Sequence, residues 1–98
     1  MELAFAEKPL RDLCEHEAKA VKQFGMAVAA KLHARLSDLR AAETCADISA
    51  GRPRHLRGEI HLQLSEGYVL VLAGNHAGPL TEDWKNFTRV KIVSILKP

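Results

Sequence analysis

The sequence predicts an α+β fold in which a short opening strand precedes a helical hairpin and three further strands, the helices packing on one face of a small antiparallel sheet. Three observations carry that expectation. Apolar residues recur every three or four positions from Leu10 to Leu39, the period changes to alternation at Ile60, and Gly25, Gly51 and Gly67 punctuate the segments. The expected order is β-α-α-β-β-β.

Glu2 to Ala6 alternates enough for a short strand, and Pro9 suits the first turn of a helix because its missing N–H would lack a partner there anyway. A first helix is therefore expected from Lys8 or Pro9. Leu10, Leu13, Cys14, Ala18 and Val21 fall on one face of it, with Arg11, Asp12, Glu15, Glu17, Lys19 and Lys22 mostly on the others. Gly25 ends it. From Met26 a second apolar stripe runs through Val28, Ala29, Leu32, Leu36 and Leu39, so two antiparallel helices joined at Gly25 are expected.

Between Glu43 and Ala50, Thr44 or Asp47 can cap one short helical turn, and Gly51-Arg52-Pro53 then breaks regularity. Ile60, Leu62 and Leu64 alternate with His61 and Gln63; Ser65-Glu66-Gly67 reads as a turn; Tyr68 to Ala73 reads as a nearly continuous apolar strand. These two strands make a hairpin. A Gly/Asn/Pro-rich segment, Gly74 to Leu80, leads through Thr81-Glu82-Asp83-Trp84 to a last strand, Thr88 to Leu96.

The chain has 98 residues, 47% hydrophobic and 27% charged, which is the balance of one globular domain spanning 1–98 and excludes a disordered or low-complexity chain. The uncharged stretch from Gly67 to Leu80 contains Gly, Asn, His and Pro and is too short and polar for a membrane span. The opening Met-Glu-Leu-Ala-Phe-Ala-Glu does not resemble a secretory leader, so a cytoplasmic location is expected. Cys14 and Cys45 then read as two buried thiols rather than a bridge.

The formal charge of +2 is unevenly placed, with residues 1–50 at −1 and residues 51–98 at +3. An anionic partner would meet the C-terminal half. Arg52, Arg54, His55, Arg57 and His61 form a first cluster, opposed only by Glu59; Lys85, Arg89, Lys91 and Lys97 form a second, with no acidic residue in 84–98. Guanidinium groups bind phosphate through a planar fork, and RNA contact is the functional reading; a solvated basic surface is the structural one. Arg89 and Lys91 alternate onto one face of the last strand.

Phosphate-loop, dinucleotide, zinc-protease and serine-hydrolase motifs are missing, and His16 and His33 have no second ligand at metal spacing, so no metal and no small-molecule cofactor is expected. His76 reads as a loop residue. Trp84 and Phe87 read as anchors of the loop on the core, with base stacking as the alternative. RNA can be cleaved without metal when its 2′-hydroxyl attacks the adjacent phosphate, a reaction that needs proton transfer and cations. Arg54, His55, Arg57 and His61 are the candidate catalytic residues; Arg52, Lys85, Arg89 and Lys91 are the candidate RNA-binding residues.

Glu2 to Ala6, Leu13 to Ala20, Lys31 to Ala42, the Leu56-Arg57-Gly58 ending of the basic segment and Asp83 to Ile92 stand in an order and spacing that resemble the RelE superfamily. The resemblance is to its HigB-like, plasmid-maintenance killer-protein branch, and it extends over nearly the whole chain. It implies a RelE-like toxin of a type II toxin–antitoxin pair, a metal-independent endoribonuclease that cleaves mRNA on the ribosome, inhibits translation and is held by a cognate antitoxin protein. Arg57 matches the basic residue before the glycine, and Arg54 stands where some members use a catalytic histidine. Because an arginine does not act as a general base at neutral pH, His55 or His61 would move the proton. Val69 follows Tyr68 where the family usually carries an Arg, and Ser94-Ile95-Leu96-Lys97-Pro98 stands where many members have Asp-Tyr-His. These differences keep a second reading open: a catalytically degenerate RelE-fold protein that binds an antitoxin-like partner or RNA without cleaving it.

Overall fold

The computed structural model describes residues 1–56, 58–74 and 84–98, and it is an α+β fold with helices on one face of a five-stranded sheet. In chain order the elements are β1 (Glu2–Phe5), α1 (Lys8–Glu15), α2 (Glu17–Phe24), α3 (Met26–Ala41), β2 (Arg54–Leu56), β3 (Glu59–Gln63), β4 (Val69–Gly74) and β5 (Arg89–Leu96). Short 3₁₀ turns lie at Cys45–Asp47 and Trp84–Asn86.

Three features differ from the sequence expectation. The sheet is mixed rather than antiparallel: its order is β1-β5-β4-β3-β2, and β1 runs parallel to β5 with Glu2 beside Arg89 and Phe5 beside Ile92. A parallel pair needs a long crossover, and the three helices supply it by carrying the chain from one sheet edge to the other. The remaining strands follow one another as an antiparallel meander.

The first predicted helix is two helices, broken at His16, whose backbone is extended (φ −120, ψ 98). The reason lies in the phase of the buried residues. Cys14 and Ala20 are both buried, yet six residues of continuous helix would leave them roughly 120° apart around the axis. One extended residue resets the phase, so Ala20 and Phe24 face inward, while Ala18, expected on the inner face, is exposed. Gly25 joins α2 to α3 as expected, its N–H closing α2 on the Val21 carbonyl at 2.8 Å.

The third difference is β2 itself, since after the break at Gly51-Arg52-Pro53 no strand was expected before the one that carries Ile60, Leu62 and Leu64. Pro53 precedes the strand, and a three-residue strand at the sheet edge asks little of the backbone. The expected turn after Thr44 is present at Cys45–Asp47, where the Asp47 carboxylate accepts from the N–H groups of Glu43 (3.1 Å) and Thr44 (3.2 Å). The segment expected from Asn75 to Asp83, with His76, lies outside the described residues, as do Arg57 and the side chain of Trp84.

Leu32, Leu36 and Leu39 of α3 pack with Ile60, Leu62, Leu70, Leu72, Val90 and Ile92 from the sheet, all fully buried. Burial of each such side chain stabilises the fold by about 1.5 to 3 kcal/mol. Phe87 is buried as an anchor, and its ring lies over Gly74 so closely that a Cβ there would sit 2.7 Å from it. Cys14 and Cys45 are free thiols inside this core. At the end of α3 the Met1 ammonium donates to the carbonyls of Leu39 (3.3 Å), Arg40 (2.9 Å) and Ala42 (2.6 Å), which binds β1 to the helix layer. Among the described residues no helix is long and apolar enough to cross a membrane.

Candidate functional site

Strand alternation divides the polar residues of the C-terminal half between two faces. In β3, Ile60 and Leu62 enter the core, so Glu59, His61 and Gln63 occupy the face away from the helices. Antiparallel partners share a face, and Arg54 pairs with His61. Arg54 and Leu56 therefore join the open face, whereas His55, opposite buried Ile60, turns toward the helices. In β5, Val90 and Ile92 are buried and Arg89 and Lys91 project from the open face.

One row across the sheet reads Arg54, His61, Val71, Ser94, and the next reads Leu56, Glu59, Ala73, Lys91, Ala4. Directly opposed side chains have Cβ atoms about 4.5 to 5.5 Å apart, which brings the Arg54 guanidinium within reach of whatever the His61 imidazole touches. Lys91 lies two strands from Glu59, about 10 Å away across Ala73. The sheet thus joins residues 54, 61 and 91, and Arg89 beside them, although they are far apart in sequence.

His61 is held by its neighbour: Nε2 lies 3.3 Å from Glu59 Oε1, with the imidazole 18% exposed. That contact leaves Nδ1 as the second proton-carrying position. Arg89 meets Glu2 at 3.5 Å, an exposed pair of little energetic weight. Arg54 and Lys91 have no carboxylate within ion-pair distance among the described residues, so each has a positive charge to offer an anion.

Arg52 sits before this face in a left-handed conformation (φ 49), next to Gly51 at φ 85. The turn is fastened on two sides. Gln63 N–H donates to the Gly51 carbonyl at 2.6 Å, and Arg35 Nε donates to the Gln63 carbonyl at 3.3 Å, linking α3, β3 and the approach to β2. Lys85 is exposed in the turn Trp84–Asn86.

Of the candidate catalytic residues, then, the structure brings Arg54 and His61 together and separates His55 from them, its Nε2 buried on the helix side. Arg57 lies outside the described residues. Glu59 entered the sequence reading only as an opposing charge; its i, i+2 relation to His61 in an alternating strand was the available signal. Val69, Val71 and Ala73, from the expected apolar strand, line the middle of the open face, and Val71 is buried although it faces away from the helices.

Among the described residues no three His, Cys, Asp or Glu side chains come together as a metal site. Comparison with protein-family models, curated proteins and solved structures finds no match to this chain.

Proposed function

We propose that this chain is a RelE-type toxin component that acts on RNA through the open face of its sheet. The observation that supports the reading is the cross-strand pairing of Arg54 with His61 on a face that also carries Arg89 and Lys91. In this reading Arg89 and Lys91 hold the RNA backbone, Arg54 takes the scissile phosphate, and His61 removes the 2′-hydroxyl proton. The 2′-oxygen bonds to phosphorus, the bond to the 5′-oxygen breaks, and that oxygen leaves protonated by water. The products are a 2′,3′-cyclic phosphate and a 5′-hydroxyl end.

The reading includes the ribosome as the place of cleavage, a cognate antitoxin protein as inhibitor and the cytoplasm as location, all from the family resemblance. Inducible expression followed by mapping of new mRNA 5′ ends, with and without an inhibitor that empties ribosomes, tests it. Ribosome-dependent cuts that disappear in Arg54→Ala and His61→Ala are the expected result.

A second reading, an RNA or antitoxin binder without cleavage, is favoured by one observation. Val69 lies on the open face between Gln63 and Leu96, and so supplies no cation where the resemblance would put an arginine. Absence of cuts from a folded, expressed chain would select it.

A further inference from the structure

The outer edge of the sheet is stepped. β1 pairs with β5 only from Arg89 to Ile92, and the last bond between them, from the Ala6 N–H to the Ile92 carbonyl at 2.9 Å, precedes the departure of the chain through Glu7 into α1. From Val93 to Leu96 the edge of β5 has no strand partner among the described residues. Such an edge is a template for another chain.

Beside it lies a groove of about 740 Å³ with Leu13, Phe24, Val93 and Ile95 as its apolar lining. Its charges are ordered along the strand. Glu7, next to Ala6, stands at the Ile92 end. Asp12 is at the same end, because α1 runs back beside β1: Met1 donates to the Arg40 carbonyl, and Arg40 is near Cys14 at the far end of that helix. The Leu96 end is basic. Lys97 follows the strand directly, and Lys22 lies in the last turn of α2, whose Phe24 ring meets the Tyr68 ring at 5.4 Å beside the Val69–Leu96 pair. Glu7, Lys22 and Lys97 are exposed, and neither they nor Asp12 are in an ion pair among the described residues.

We infer that this edge pairs with a second copy of the chain, the two β5 strands running antiparallel about a two-fold axis at Ile95. An axis normal to the sheet reverses the strand, so the acidic end of one groove meets the basic end of the other, and does so twice. A parallel pairing would set like charges together. The register follows from the faces: Ser94 and Leu96, opposite Val71 and Val69, lie on the open side, while Ile95, opposite buried Leu70, lies on the helix side. Opposed residues share a face, so Ile95 opposes its own counterpart, Ser94 opposes Leu96, and Val93 opposes Lys97. That places the Lys97 ammonium of each copy beside Glu7 of the other. Centring on Ser94 instead would drive Leu96 against β1 at Ile92.

The two five-stranded sheets then become one, with both open faces on the same side. The pairing does not depend on what the Arg54–His61 face binds.

Sedimentation velocity of the full chain from micromolar to millimolar concentration, with amide exchange followed by NMR, tests the inference. Expected are a monomer–dimer equilibrium that salt weakens and greater protection of the 93–96 amides as concentration rises. Glu7→Lys and Lys97→Glu should each weaken the dimer about tenfold, since each disrupts two symmetry-related pairs. Glu7→Lys/Lys97→Glu should restore the parent affinity, because the same pairs form again with their signs exchanged. Both positions are exposed, so the variants should keep the parent's amide spectrum; if one does not, Glu7→Gln and Lys97→Gln take its place, each with a smaller loss expected. A chain that stays monomeric at millimolar concentration, protection at Glu2–Phe5 or Arg54–Leu56 in place of 93–96, or a double variant no tighter than the single ones overturns the inference. Protection of 93–96 that arises only on adding single-stranded RNA to a monomeric chain would assign the edge to nucleic acid and overturn it as well.

Discussion

Arg54 and His61 oppose each other across the β2–β3 ladder, on the face of the sheet that the helices leave open. Neither residue type is unusual alone, but the register couples a permanent cation to an imidazole, which can both accept and donate a proton. The pair should therefore fail as a unit. Arg54→Ala is expected to lower the cleavage rate about 100-fold and His61→Ala by about 10² to 10⁴, with the double variant well short of the product of the two. Single-turnover cleavage of programmed ribosomes measures this, and simple multiplication of the two losses would refute the coupling.

Arg89 and Lys91 should act on binding rather than on the chemical step. Each alanine variant is expected to reduce the slope of log affinity against log salt by about 0.7 for single-stranded RNA. Fluorescence anisotropy between low and physiological salt checks it, and an unchanged slope would remove that residue from the backbone contact.

His55 and His61 offer an internal control because adjacent strands place them on opposite faces. His55→Ala is expected to cost about 1 kcal/mol in urea unfolding and to leave the RNA cleavage rate unaltered. His61→Ala should show the reverse pattern. An RNA defect with unchanged stability in His55→Ala would mean that the proton-transfer group had been misassigned.

Gly51 has φ 85, and a Cβ there would lie 2.8 Å from Arg35 Nε and 3.3 Å from the Gln63 carbonyl. Gly51→Ala must therefore strain the backbone and displace the arginine that bonds to Gln63. A loss of about 1 to 3 kcal/mol is expected. Thermal unfolding measures it, and a stability equal to the parent's would show that the turn can relax without loss.

Burial pushes the Cys14 and Cys45 thiols up from the ordinary 9.0 to about 11, with Arg40 drawing Cys14 slightly back. Since the folded state holds these protons more tightly than the unfolded chain, stability should be level below about pH 8 and fall between about 9 and 11. Each thiol contributes up to about 2 kcal/mol to that fall. Denaturant titrations across this range check the sign, and Cys14→Ala/Cys45→Ala should flatten the curve. In the native chain at pH 8, thiol reagents should react only as fast as the core opens.

Much of the fold is legible in local pattern. The Leu32, Leu36, Leu39 stripe defines α3 because a helix repeats every 3.6 residues, and Ile60, Leu62 and Leu64 define one inner face because a strand repeats every two. The helix break at His16 has no local signal, since no Gly or Pro stands there; it answers to the need to bury Cys14 and Ala20 together.

The same distinction governs the candidate site. Residue types, the shared strand face of Arg89 and Lys91, and the gathering of basic residues after Gly51 are all readable without coordinates. Tertiary structure alone decided that Arg54 meets His61 while His55 turns inward, because a shift of register by a single residue moves a side chain to the other face. It also decided that β1 stops alongside Ile92, so that among the described residues the outer edge of β5 has no strand partner from Val93 to Leu96. Periodicity describes which side of an element is apolar; only packing decides which elements become neighbours and where one of them falls short.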